Sequence, residues 1–236
     1  MNIRIGVLEV GRPPEALSTD YASYAQMTAA WLDGITNNTT IYPIMDNCKF
    51  PNAEDADLWV ITGSKCGVYE THPWIEPLIA FIQNAKDAKK KMLGICFGHQ
   101  IIAKALGGEV ERSDKGWGLG LFTYPLQTWP SNLKTPTCDL SINAYHQDQV
   151  VALPESTQRL ASSNFCENAV LWYPGFAITF QGHPEFDAQY EEDLIRWSYQ
   201  QGRLEKDVAS AGLDSLGGKN TREYWAGWFR DNWLNI

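Results

Sequence analysis

The chain has 236 residues, 44% of them hydrophobic, with 19 Lys and Arg against 28 Asp and Glu, a formal net charge of -9. That balance argues against a nucleic-acid or anionic-membrane surface, which needs clustered Lys and Arg to displace counterions. The five cysteines, at 48, 66, 96, 138 and 166, form no C-x-x-C pair, so neither a disulfide framework nor a cysteine zinc site is suggested and a reducing compartment fits.

No stretch reaches the roughly 18 uninterrupted apolar residues of a membrane span. The opening "MNIRIGVLEV" lacks a signal peptide's basic-then-apolar pattern, and the expected location is the cytoplasm. "IRIGVLEV" reads as a buried strand ended by "GRPPE". "STDYASYAQMTAAWLDG" predicts a helix with Ser18, Thr19 or Asp20 as N-cap and Tyr24, Met27 and Trp31 on one face. "TTIYPIM" and "DLWVIT" predict strands, "THPWIEPLIAFIQNAKDAKK" a helix presenting Trp74, Leu78, Phe81 and Ile82, and "KMLGI" a further strand.

Strands alternating with helices imply a mostly parallel sheet with helices on both faces, whose sites form at the strands' carboxyl ends. From 109 to 182 the pieces "GLGLFTY", "QRLASS", "AVLWY" and "FAITFQ" are short and closely spaced, predicting antiparallel strands that extend the same sheet. Beyond 186, "DAQYEEDLIRWSYQQGRLE" and "TREYWAGWFRDNWL" predict helices joined by a Gly-rich link, "AGLDSLGG". Trp225, Trp228, Phe229 and Trp233 are expected to pack as an aromatic stripe onto the domain. The whole chain, 1–236, reads as one domain with a helical extension from about residue 187.

Gly94-Ile95-Cys96-Phe97-Gly98 has the form G-x-nucleophile-x-G, in which glycines let a strand turn sharply into a helix and leave the central side chain above the sheet. Unpaired N–H groups at the helix start then face the sulfur and suit an anion. Such a nucleophile needs a base. Of four histidines, His72 precedes a proline at a helix start and His99 lies a turn into the helix after Cys96. His183 sits in "FAITFQGHPEF" at a strand's carboxyl end, with Glu185 two residues on and able to orient it. His146 in "NAYHQDQV", with Asp148, stands in the same relation. H-x-D and H-x-E together are an alternative set of metal ligands, though that reading leaves Cys96 without a role.

With "GICFGHQ" and "QGHPEF" in hand, the chain resembles class I, triad-type glutamine amidotransferases, in particular the glutaminase portion of GMP synthases and its stand-alone relatives, over roughly residues 3 to 190. The resemblance implies a flavodoxin-like fold with a smaller antiparallel extension, and Cys96, His183 and Glu185 as catalytic triad. It implies Gln100 as a substrate-binding residue. It implies the backbone N–H groups of Gly63, in "ITGSKCGVYE", and Phe97 as oxyanion donors, and Tyr145 and His146, in "AYHQDQVVALP", as substrate contacts.

No metal and no cofactor follow from it. The implied reaction hydrolyses the γ-carboxamide of glutamine through a Cys96 thioester and releases ammonia. No G-x-x-x-x-G-K-[ST] phosphate loop is present, so an acceptor for the ammonia is expected either on a separate synthetase chain or not at all. Two rivals share these residues. The first is a γ-glutamyl peptide hydrolase or transferase; the second is a non-catalytic subunit or binding module. "KGWGLG" is expected at the rim of the site, and Cys66 as a small filler.

Overall fold

In the computed structural model, which describes residues 3–33 and 38–234, apolar strand segments assemble into a seven-stranded sheet of order β2-β1-β3-β4-β11-β10-β9. The strands are β1 (Ile5–Leu8), β2 (Thr39–Tyr42), β3 (Leu58–Ile61), β4 (Lys91–Ile95), β9 (Gln158–Ala161), β10 (Val170–Tyr173) and β11 (Ala177–Phe180). Pairing is parallel from β2 through β11 and antiparallel onward to β10 and β9. The remaining strands form two ribbons: β5 (Glu109–Arg112) pairs with β8 (Asp148–Ala152), and β6 (Gly118–Tyr124) with β7 (Leu140–His146).

Alternation along the strands splits the core between the two faces of the sheet. Leu58 and Val60 of β3 and Leu93 and Ile95 of β4 join a cluster with Trp31 of α1 (Tyr24–Trp31) and the aromatic residues of α7 (Arg222–Trp228). Trp59, Ile61 and Met92 face the other way, into a cluster with Leu78 and Phe81 of α3 (Ile75–Asp87) and Ile101 and Ile102 of α4 (Phe97–Ala105). Helices therefore cover both faces. Trp225, Trp228, Phe229 and Trp233 are all buried, so the stripe packs onto the domain as expected.

Four local expectations are corrected. The first helix starts at Tyr24, because Ser23 forms a capping box with Gln26: Gln26 N–H donates to Ser23 Oγ, and Ser23 N–H to Gln26 Oε1. Its predicted last residue, Gly34, lies outside the described residues. The segment "TTIYPIM" leaves the sheet at Pro43, and Ile44–Asn47 forms the short helix α2.

"GLGLFTY" is β6 and pairs with β7 in its own ribbon, while the other three pieces do extend the main sheet. The Gly-rich link is mostly helix, α6 (Lys206–Ser215), which follows α5 (Ala188–Gln200). Gly212 is there for close packing, since a Cβ would lie 2.9 Å from that of Leu119.

Candidate active site

The strands β3, β4 and β11 lie side by side and parallel, with Ile61 opposite Gly94 and Phe180 opposite Ile95. The chain leaves all three at the same edge of the sheet. Gly63 stands just past β3, Cys96 immediately after β4, and His183 just past β11. Residues far apart in sequence meet because parallel strands end together.

Cys96 is the N-cap of α4 and holds φ of 51° and ψ of -100°, a left-handed conformation that a side chain adopts only under constraint. Its N–H donates to Phe180 O at 2.8 Å, which fixes the turn to β11. Phe97 N–H belongs to the first helical turn, whose donors lack intrahelical acceptors. Gly63 is wedged against the pair: a Cβ there would lie 2.8 Å from His183 Cε1 and 3.7 Å from Cys96 Cβ.

His183 Nδ1 lies 2.8 Å from Glu185 Oε1, and both residues are buried. That contact leaves Nε2 for the thiol. The ring stacks on Phe186 with centroids 4.0 Å apart and planes within 7°. Burial opposes charge on this imidazole, yet Glu185 and Cys96 more than offset it and hold its pKa well above the ordinary value.

The backbone around His183 is pinned from two sides. His183 N–H donates to Asn143 O at 2.7 Å, and Asn143 Nδ2 donates to the carbonyls of Phe186 and Asp187. Arg222, on α7, donates to Pro184 O at 2.7 Å and Glu185 O at 3.2 Å. Sequence reasoning missed Asn143 and Arg222, which act through backbone carbonyls and leave no local motif.

Gln181 was also missed. It is fully buried, and its Nε2 donates toward Cys96 Sγ at 3.8 Å. A signal was present: Gln181 stands two residues before His183, at the same end of β11. Gln100 Nε2 donates to Gln181 Oε1 at 3.2 Å and Asp148 O at 2.9 Å, so its amide N–H groups brace Gln181 and leave its Oε1 for a ligand.

Two cavities meet at Cys96. The larger, about 560 Å³, is lined by His183, Tyr24, Trp74, Phe186 and Trp197. The smaller, about 330 Å³, is lined by Gln100, Trp117, Tyr145 and His146, which places "KGWGLG" at its rim. His146 is buried, neither ring nitrogen has a hydrogen-bond partner among the described residues, and burial together with His183 lowers its pKa to about 3. Tyr145 borders both cavities, with its hydroxyl 2.6 Å from Ser198 Oγ.

His99 lies outside the site. It is buried against Thr179 Oγ1 at 2.8 Å, and burial lowers its pKa to about 3. His72 bonds the exposed Glu70. Among the described residues, the donor set close enough to share a cation is Cys66, Glu70 and His72, a different group from the two histidine-carboxylate pairs. All five cysteines carry free thiols.

Behind the dyad lies Glu191 of α5, fully buried, with Oε1 accepting from Gly120 N–H and Oε2 without a partner among the described residues. Burial is the main cause that pushes its pKa up to about 8; His183 and Gly120 act in the opposite direction. A carboxyl whose folded pKa exceeds its unfolded value holds its proton more tightly when folded, so it weakens the fold as pH rises from about 4.5 to about 8. Glu191→Gln is therefore expected to raise thermal stability at pH 8, by on the order of 3 kcal/mol. It should change little at pH 4.5. Melting curves at the two pH values check this; an equal shift at both would exclude titration as the cause.

A thiol at a strained helix start, beside a carboxylate-bound imidazole on a doubly wound sheet, defines a class of α/β proteins built to hold a cysteine at the strands' carboxyl ends. The glutamine amidotransferase class-I family model matches residues 18–199, and the chain belongs to that family. It is 31% identical over 210 residues to a glutamine amidotransferase-like protein of Schizosaccharomyces pombe, covering 83% of this chain and 84% of that one. It is 29% identical over 212 residues to gamma-glutamyl peptidase 3 of Arabidopsis thaliana, covering 86% and 84%. The fold matches a glutamine amidotransferase of Thermotoga maritima with a TM-score of 0.76 at 20% identity, over 98% and 96% of the two chains. Among the described residues no helix is long and apolar enough to cross a membrane.

Proposed function

We propose that the chain is one amidotransferase-like domain, extended by helices from about residue 187, that cleaves γ-glutamyl amide bonds through a thioester on Cys96. The Cys96 thiol gives its proton to His183 Nε2, and the sulfur attacks the γ-carbonyl carbon. The resulting oxyanion is held by the N–H groups of Gly63 and Phe97. When the C–N bond breaks, the leaving amine takes the proton from His183. Water then gives a proton back to His183 and attacks the thioester, releasing glutamate and the thiol. Glu185 orients the imidazole throughout, and Gln100, Tyr145 and His146 border the acyl site.

Glutamine is the smallest such substrate, and the two sequence motifs favour it. The observation that favours a larger leaving group, as in a γ-glutamyl peptide, is the cavity of about 560 Å³ on the His183 side of Cys96, where the departing amine takes its proton. The Arabidopsis relatives named γ-glutamyl peptidases, at 29–32% identity, support the same reading.

Purified protein incubated with glutamine and with γ-glutamyl dipeptides, scored for ammonia and for free amino acid, tests this. Amino-acid release well above ammonia release is expected. Ammonia from glutamine alone would return the function to glutaminase chemistry, with a separate synthetase chain as acceptor. Turnover that survives Cys96→Ala would exclude the thioester.

A further inference from the structure

Although the chain is acidic, cations outnumber carboxylates around Cys96. The larger cavity is bordered by Arg12, Lys65 and Arg203 against the single carboxylate of Glu15. Arg12 is already committed, with Glu9 at 2.6 Å and Asp46 at 2.7 Å. Among the described residues, Lys65 and Arg203 form no ion pair. Both border the two cavities that meet at the thiol.

The position of Arg203 is built into the end of α5. Gly202 takes a left-handed φ of 69°, its N–H donates to Tyr199 O at 2.9 Å, and Arg203 N–H donates to Ser198 O at 3.0 Å. These are the two bonds of a Schellman ending, which reverses the chain at a fixed angle. The reversal lays the guanidinium over the ring of Trp197, 4.5 Å from its centroid. Trp197 borders the larger cavity and not the smaller one. Stacking holds the flat face and leaves the guanidinium edge, with its fork of N–H donors, free for an anion.

Resting on the reading that γ-glutamyl amides are cleaved at Cys96, we propose that Arg203, assisted by Lys65, binds the carboxylate of the leaving group. The substrate class is then a γ-glutamyl amino acid or peptide with a free C-terminal carboxylate. The same cavity offers Tyr24, Trp74, Phe186 and Leu194 to an apolar side chain. Glutamine, whose leaving group is ammonia, cannot use this contact. Arg203 lies beyond the segment matched by the family model, 18–199.

The test measures binding of γ-glutamylphenylalanine and of its C-terminal amide to Cys96→Ala protein by calorimetry, with and without Arg203→Ala. The acid is expected to bind about 10- to 100-fold tighter than the amide, the ratio for a charge-assisted hydrogen-bonded pair. Arg203→Ala should abolish that ratio, and Arg203→Lys should restore part of it. Equal binding of acid and amide, binding of neither, or an equal loss of both in Arg203→Ala would overturn the assignment. Turnover of the same compounds by protein with Cys96 intact reads the chemistry separately. Carboxylate-dependent binding without turnover would sink the thioester reading and leave Arg203 in place.

Discussion

Cys96→Ala is expected to lower kcat/KM for γ-glutamyl substrates by at least about 10,000-fold, the scale seen when a covalent nucleophile is removed. Glu185→Gln should cost about 100- to 10,000-fold, because an amide can present its N–H to His183 Nδ1 and hold the wrong tautomer. Steady-state kinetics on one substrate series reads both losses, provided melting temperatures confirm that the variants fold. The backbone supplies a further distinction. Cys96 holds φ of 51°, a conformation glycine adopts freely and alanine does not. Cys96→Gly should therefore be inactive yet about 1 kcal/mol more stable than Cys96→Ala. Equal stabilities would show that the turn carries no strain. Near-normal turnover in either variant would remove Cys96 from the mechanism.

What the sequence disclosed and what it hid follow from the range of the interactions. The strand-turn-helix at Cys96 was legible because its constraint is local: glycines on both sides of the thiol, inside five residues. His183 and Glu185 were legible for a similar reason, since they stand two residues apart across Pro184 at a strand's end; the chain turns there, with Phe186 N–H donating to His183 O at 3.3 Å, and does not stay extended through Glu185. The order of the main sheet was hidden. β11 inserts beside β4 across more than eighty positions of sequence, and nothing in "FAITFQ" specifies that neighbour.

For the same reason "GLGLFTY" was assigned to the wrong sheet. A short strand of small and apolar residues looks alike in a ribbon and at a sheet edge. Gln181, Asn143 and Arg222 were missed because each contributes one or two hydrogen bonds to a partner set only by tertiary contact. The Gly-rich link misled for a different reason. Glycine signals a turn when backbone freedom is needed, but in α6 it signals an absence of side chain where the helix meets Leu119.

The largest effect on the fold is expected from Gly98→Ala. A Cβ at 98 would lie 2.3 Å from the carbonyl oxygen of Ile61, and 3.0 Å from its carbonyl carbon and Cβ. The obstacle is backbone in a central strand, paired on both sides, so it cannot rotate away as a side chain would. The start of α4 must instead lift off β3. Alanine gains about 1 kcal/mol of helix propensity over glycine, whereas forcing such an overlap costs roughly 3 kcal/mol or more, and the collision wins.

The measurable outcome is a melting temperature lower by several degrees, together with lost turnover, since moving the helix start also moves Cys96 and the N–H of Phe97. Gly217→Ala supplies the comparison. Gly217 has open space at its Cβ position and lies outside the left-handed region, so its stability should change by no more than about 0.5 kcal/mol. If Gly98→Ala were as stable as Gly217→Ala, α4 would not be seated against β3 as described. The nucleophile would then owe its position to something other than the close approach of that helix to the sheet.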